Sequence, residues 1–210
     1  MRKGFFTRKV DTLLGVDIND TTIRLVQLGC SASGYNVQAY VTQALPAHTV
    51  VDSTLLDLDG VGRALRSALS RLSTSARGAA AAVAGPSVIT RMIEMEAGLT
   101  DDEMGWMIQM EADQYIPYPL DDVAIDFQVR GPSALDPGRI EVLLAACLKE
   151  QVEARETVLA LAGLVPRVVD VEAFALARAC SQDFASFTPS DRVDGAQWAV
   201  DAQGMGIACG

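Results

Sequence analysis

The run Gly15-Val16-Asp17-Ile18-Asn19-Asp20-Thr21-Thr22 is the grouping near the amino terminus whose residue types suit a charged ligand. An apolar strand that ends in an acid and passes into a tight turn with hydroxyls can hold a magnesium-bound phosphate. Turn amides and hydroxyls then meet the phosphate oxygens, while the acid holds the water shell of the ion. Asp17 is the ion-side residue in that reading, and Asn19, Asp20 and Thr21 supply the turn. The same residues also suit an Asn-Asp hairpin turn with no ligand, because Asn and Asp side chains bond their own nearby backbone.

The remaining reactive residues form no catalytic set. There is no G-x-x-x-x-G-K-[ST] loop for a phosphate and no G-x-S-x-G elbow for a nucleophilic serine. His48 stands two places after Pro46 in a loop-like stretch with no nucleophile beside it. Cys30, Cys147, Cys180 and Cys209 share no C-x-x-C spacing, which argues against structural zinc and leaves each as a buried thiol. Thr100 and Glu103 have the spacing of a helix capping box, so the acids 101–103 complement a helix start rather than act as paired catalytic carboxylates. Asp121-Asp122, after Pro119, reads as a solvated turn.

Composition narrows the classes further. The chain has 210 residues, half of them hydrophobic, which suits one large domain or two subdomains of about a hundred residues each. A formal net charge of −10 excludes a sequence-independent nucleic-acid binder, which needs clustered Lys and Arg to displace phosphate counterions. No apolar run approaches the roughly twenty residues of a membrane span, and the first residues lack a secretory h-region, so a reducing cytoplasmic setting is expected. Against the acidic background, residues 1–12 form a basic and aromatic tip: Arg2, Lys3, Arg8 and Lys9 surround Phe5 and Phe6. Such a tip suits an anionic membrane or an acidic partner, or is simply a frayed, solvated terminus.

These residues need elements to position them. Alternation and turn residues predict strands over 13–18, 22–28 and 35–45, a β-meander. Val61, Leu65, Leu69 and Leu72 share a helical face, with Asp59 as the expected cap, and the small-residue run 79–84 reads as a buried parallel strand. After Gly85-Pro86 comes a strand over 87–95, then a helix from Thr100 that Pro117 stops, with its methionines as core filler. Val123, Ile125, Phe127 and Val129 alternate with polar residues as a half-wet strand. A strand over 139–147 and a helix over 150–162 closed by Gly163 complete a β-α-β-β-α unit spanning 87–163. A strand over 166–170, a helix over 171–180, a polar loop over 181–197 and a last strand over 198–202 end the pattern.

Three segments carry a family resemblance. Leu13-Leu14-Gly15-Val16-Asp17-Ile18 followed by Thr22-Ile23-Arg24-Leu25-Val26-Gln27-Leu28 resembles the opening of PilM proteins, the actin-like, FtsA-like inner-membrane platform proteins of type IV pili. Glu111-Ala112-Asp113-Gln114-Tyr115-Ile116-Pro117-Tyr118-Pro119-Leu120 resembles their most distinctive segment, and Val169-Asp170-Val171-Glu172-Ala173-Phe174-Ala175 a third. The resemblance implies an α/β, actin-like (ribonuclease H-like) 1A subdomain over 13–85 and 165–181, with an inserted FtsA-type 1C subdomain over 87–163. Residues 182–210 would be a loop and the start of a truncated second actin-like half.

The resemblance also implies a function. Family members sit at the cytoplasmic face of the inner membrane, bind the N-terminal cytoplasmic tail of PilN between 1A and 1C, and link the PilN/PilO alignment complex to the assembly ATPases. Within that reading Tyr115, Ile116, Pro117 and Tyr118 are candidate partner-binding residues, because aromatics beside prolines are rigid. The alternative is that the tyrosines seal the helix end.

Two departures weaken a nucleotide site. The family places a glycine two residues after the acid, where this chain has Asn19, so a side chain fills the close approach. The second phosphate loop corresponds to Asp201-Ala202-Gln203-Gly204-Met205-Gly206, with its glycine displaced and its hydroxyl missing. Relatives also continue well over a hundred residues into the half that clasps the adenosine. The expectation is therefore a non-enzymatic scaffold without a cofactor, Mg-ATP belonging only to a longer form, with Asp17 its sole metal-side residue. The alternatives are an ATP-binding protein or weak ATPase of the sugar kinase, heat-shock chaperone and actin superfamily, and a membrane-bound polymerising cell-division protein.

Overall fold

The computed structural model describes residues 13–31, 34–86 and 88–183. Strand β1 (Leu13–Ile18) turns at Asn19 into β2 (Thr22–Ser31), which pairs antiparallel with β3 (Gly34–Ala44). The predicted loop that follows contains a two-rung hairpin, β4 (Val50–Val51) and β5 (Thr54–Leu55). Its central residues Asp52 and Ser53 have φ of 49° and 64°, the left-handed pair that a tight hairpin turn requires. Helix α1 (Leu58–Arg71) follows, capped by Asp57, whose carboxylate accepts from the Gly60 amide, rather than by the expected Asp59, which lies inside the first turn.

Strand β6 (Gly78–Val83) lies parallel to β1, and β10 (Val165–Val171) lies parallel to β6, giving the order β10-β6-β1-β2-β3. One face of this sheet, carrying Leu14, Val16, Ile23 and Leu25, packs on Val61, Leu65 and Ala68 of α1. Each fully buried Leu or Ile there contributes about 1.5–3 kcal/mol. Helix α4 (Glu172–Asp183) follows β10 and extends past the predicted end at Cys180.

Between β6 and β10 the chain builds a second sheet. Strands β7 (Ile89–Glu96), β8 (Val123–Pro132) and β9 (Arg139–Leu148) form an antiparallel sheet in the order β7-β9-β8. Helix α2 (Asp101–Glu111) covers one face and buries Met104 and Ile108 against Met95, Val142 and Leu144. Its capping box is complete: Thr100 Oγ1 accepts from the Glu103 amide, and the Glu103 carboxylate accepts from the Thr100 amide.

Helix α3 (Lys149–Leu161) departs from the predicted division of the chain. It was expected to complete the inserted unit over 87–163. Its buried residues Val158 and Leu159 instead join the core of the five-stranded sheet, beside Leu14 and Leu65. At the contact of the two helices a Cβ on Gly62 of α1 would stand 2.9 Å from the Leu161 Cβ, so glycine there lets α1 and α3 pack closely. Periodicity identifies a helix's apolar face but not the sheet that face will cover. The tip 1–12, the loop from 184 on and the strand 198–202 lie outside the described residues.

Candidate functional site

The turn after β1 has its polar groups already committed. Asn19 Oδ1 accepts from the amides of Thr21 (3.1 Å) and Thr22 (2.9 Å), and lies within hydrogen-bond distance of both threonine hydroxyls. These are the amides and hydroxyls that a phosphate would engage. The side chain standing where a phosphate loop has glycine therefore occupies the donors itself, as an Asx turn does.

Asp17 and Asp20 face different partners. The Asp17 carboxylate pairs with Arg24 Nη1 at 2.8 Å, across a directly opposed β1–β2 position. Both side chains are nearly half exposed, so the pair contributes at most about 1 kcal/mol. Asp20 reaches to the β4–β5 turn, where its carboxylate accepts from the amides of Asp52 and Ser53, each at 3.3 Å. Asp20 thus braces the left-handed turn residues. Among the described residues no group of three His, Cys, Asp or Glu side chains is placed to hold a metal. Asp201, Gln203 and Gly204 lie outside the described residues.

The candidate partner segment resolves differently. Ile116 is buried in a cluster with Ala112, Val123 and Ala146, and Tyr115 and Tyr118 pack half-buried against that cluster. Only Pro117 is exposed. Both tyrosines thus sit at the end of α2, against the sheet. The exposed apolar residues of this region are instead Trp106 and Met110, at 64% and 66% exposure.

Sequence reasoning missed Arg155, the largest fully buried side chain. Its Nε donates to the Ala82 carbonyl (3.0 Å), Nη1 to Gln151 Oε1 (2.8 Å) and Nη2 to the Ser53 carbonyl (2.7 Å). Burial pushes this guanidinium below its ordinary pKa, with Cys147 and Glu172 acting the other way. A planar fork with five donors satisfies several carbonyls at once, which an ammonium cannot do. Arg155 ties α3 to the end of β6 and to the β4–β5 turn, next to where the chain leaves the five-stranded sheet for the insert. An arginine on a helix of mixed polarity carries no sequence signal of burial.

A family model described as type IV pilus assembly protein PilM matches residues 15–204. The chain belongs to that family. Among solved structures, this PilM-family chain resembles the PilM–PilN type IV pilus biogenesis complex, with a TM-score of 0.70 and 26% identity over 80% of this chain and 50% of that one. The mixed sheet with its inserted unit is accordingly the actin-like PilM fold, and the chain spans about half the length of that relative. It also resembles the cytoplasmic domain of EpsL, an inner membrane component of the type II secretion system of Vibrio cholerae, with a TM-score of 0.49 and 14% identity over 78% of this chain and 58% of that one. That second likeness is too distant to carry an argument. No helix among the described residues is long and apolar enough to cross a membrane.

Proposed function

We propose that this chain is a non-enzymatic binding scaffold of type IV pilus assembly. It captures the N-terminal cytoplasmic tail of PilN between the five-stranded unit and the insert, at the inner face of the cytoplasmic membrane, and links the PilN/PilO complex to the assembly ATPases. The observation that carries this reading is the family match, joined to the likeness with a solved complex that contains PilN. The Asn19 turn favours a scaffold over a nucleotidase, because its amides are spent on a side chain. A groove between two rigid units can take an extended segment by backbone pairing plus side-chain pockets.

The test is calorimetric titration of a synthetic peptide from the cognate PilN tail into the chain, with Mg-ATP titrated separately. Saturable peptide binding without ATP is the expected result. Binding of Mg-ATP with no response to the peptide overturns the scaffold reading.

A further inference from the structure

Among the described residues the inserted sheet ends at β7. Within those described residues strand β7 is paired on one side only, with β9, so its other edge offers backbone N–H and C=O groups to a further strand. Beside this edge runs an open groove of about 210 Å³, lined by Ile93, Met95, Met107, Ile108, Glu111 and Tyr115. At about 100° per residue, Met107 lies on the opposite side of α2 from Gly105, which meets Phe127 of β8. Met110 lies about 60° from Met107 around the helix and borders the groove, while Trp106, about 100° from Met107, stands on the outer side of α2 opposite the buried Met104 and Ile108.

The charges are one-sided. Glu94, Glu96 and Glu111 line the groove with Arg139. Glu94 is engaged, since it accepts from the Ser133 hydroxyl and lies 4.0 Å from Arg139. Glu96 and Glu111 form no ion pair among the described residues. The occupant that fits is an extended segment with a large apolar side chain and flanking cations.

We propose that this groove receives the amino-terminal segment, residues 2–10, of a second copy of this chain. That segment holds Phe5 and Phe6 between Arg2-Lys3 and Arg8-Lys9. Side chains of an added strand alternate between faces. One phenylalanine enters the slot beside Met107 and Tyr115, where sulfur meets ring, while cations meet Glu96 and Glu111. A second copy fits better than the same chain for a reason of reach. β1 leads away from Leu13 toward the end of the sheet where β6 delivers the chain to β7. A segment docking on its own chain would first have to retrace β1, about 17–20 Å at ~3.3 Å per residue. Phe6 stands seven residues before Leu13 and reaches at most about 25 Å from it, most of which that retracing uses. The contact is head-to-tail rather than two-fold, and does not depend on PilN capture.

Sedimentation velocity of the full chain over a wide concentration range tests the proposal, alongside anisotropy of a labelled peptide of residues 1–12 added to the full chain. The expected result is self-association that weakens at least tenfold in Glu96→Lys/Glu111→Lys and in Phe5→Ser/Phe6→Ser. Pairing the first variant with Lys3→Glu/Arg8→Glu should restore it. Both groove glutamates are exposed, so circular dichroism of these variants should be unchanged, and PilN-peptide titration should not move. A chain that stays monomeric throughout overturns the proposal, as does self-association indifferent to these substitutions. Labelled peptide that binds phosphatidylglycerol vesicles but not the protein also overturns it.

Discussion

Arg155 Nη2 donates to the Ser53 carbonyl at 2.7 Å across 102 residues of chain, while the Ser53 amide donates to Asp20. One small turn thereby joins the end of β1 to the helix that follows the insert. Asp20, which sequence reading placed in the turn of a candidate phosphate loop, is a strut in this linkage.

Arg155→Met should cost about 2–4 kcal/mol of unfolding free energy, because the Ser53 and Ala82 carbonyls lose their donor in a buried setting. Arg155→Lys should recover only part of that loss, since a point charge cannot reach carbonyls on both elements. Urea denaturation of the three proteins measures both. Equal stability of Arg155→Met and the parent would show that the linkage is energetically idle.

Gly62→Ala should destabilise the protein by about 1–2 kcal/mol, although alanine is the better helix former by about 1 kcal/mol. The added Cβ would stand 2.9 Å from the Leu161 Cβ, an atom fixed close to the α3 backbone. A thermal melt reads the sign directly. A stabilised Gly62→Ala would mean that the α1–α3 contact yields easily.

The capping box of α2 makes a pH prediction. Bonds from the Thr100 backbone and hydroxyl hold the Glu103 carboxyl below its ordinary pKa. A carboxyl depressed in the folded state adds stability that is complete above its unfolded value, about 4.3, and is lost as pH falls through the folded value. Glu103→Gln keeps a box-compatible side chain but should remove this step from the acid limb of the stability curve. Thr100→Ala should cost about 1 kcal/mol near neutral pH.

Asp17→Ala should change stability by less than about 1 kcal/mol, since it breaks only a half-exposed ion pair. It should also leave PilN-peptide affinity within about twofold. Asn19→Ala should cost about 1 kcal/mol, because the amides of Thr21 and Thr22 lose their acceptor. A large loss of peptide binding in Asp17→Ala alone would bring the β1 turn into the peptide-binding machinery.

Much of the fold was legible in local pattern. Alternating residues marked β1, β2 and β3, the T-x-x-E spacing marked the start of α2, and Gly163, at φ 83°, closed α3 as expected. These features depend on residues within one or two turns of each other, so their chemistry is written in neighbouring letters. Three family-like segments then indicated the actin-like arrangement. What only the tertiary structure decided involves partners far apart in the chain. Burial of Val158 and Leu159 beside Leu14 and Leu65 placed α3 on the five-stranded sheet instead of the insert. Packing buried Ile116 within the candidate partner segment and left Trp106 and Met110 outside. Arg155 became the buried centre because carbonyls from β6 and a distant turn converge on it. A side chain's type sets which bonds it can make, but which groups stand within 3 Å is set by packing across the whole chain.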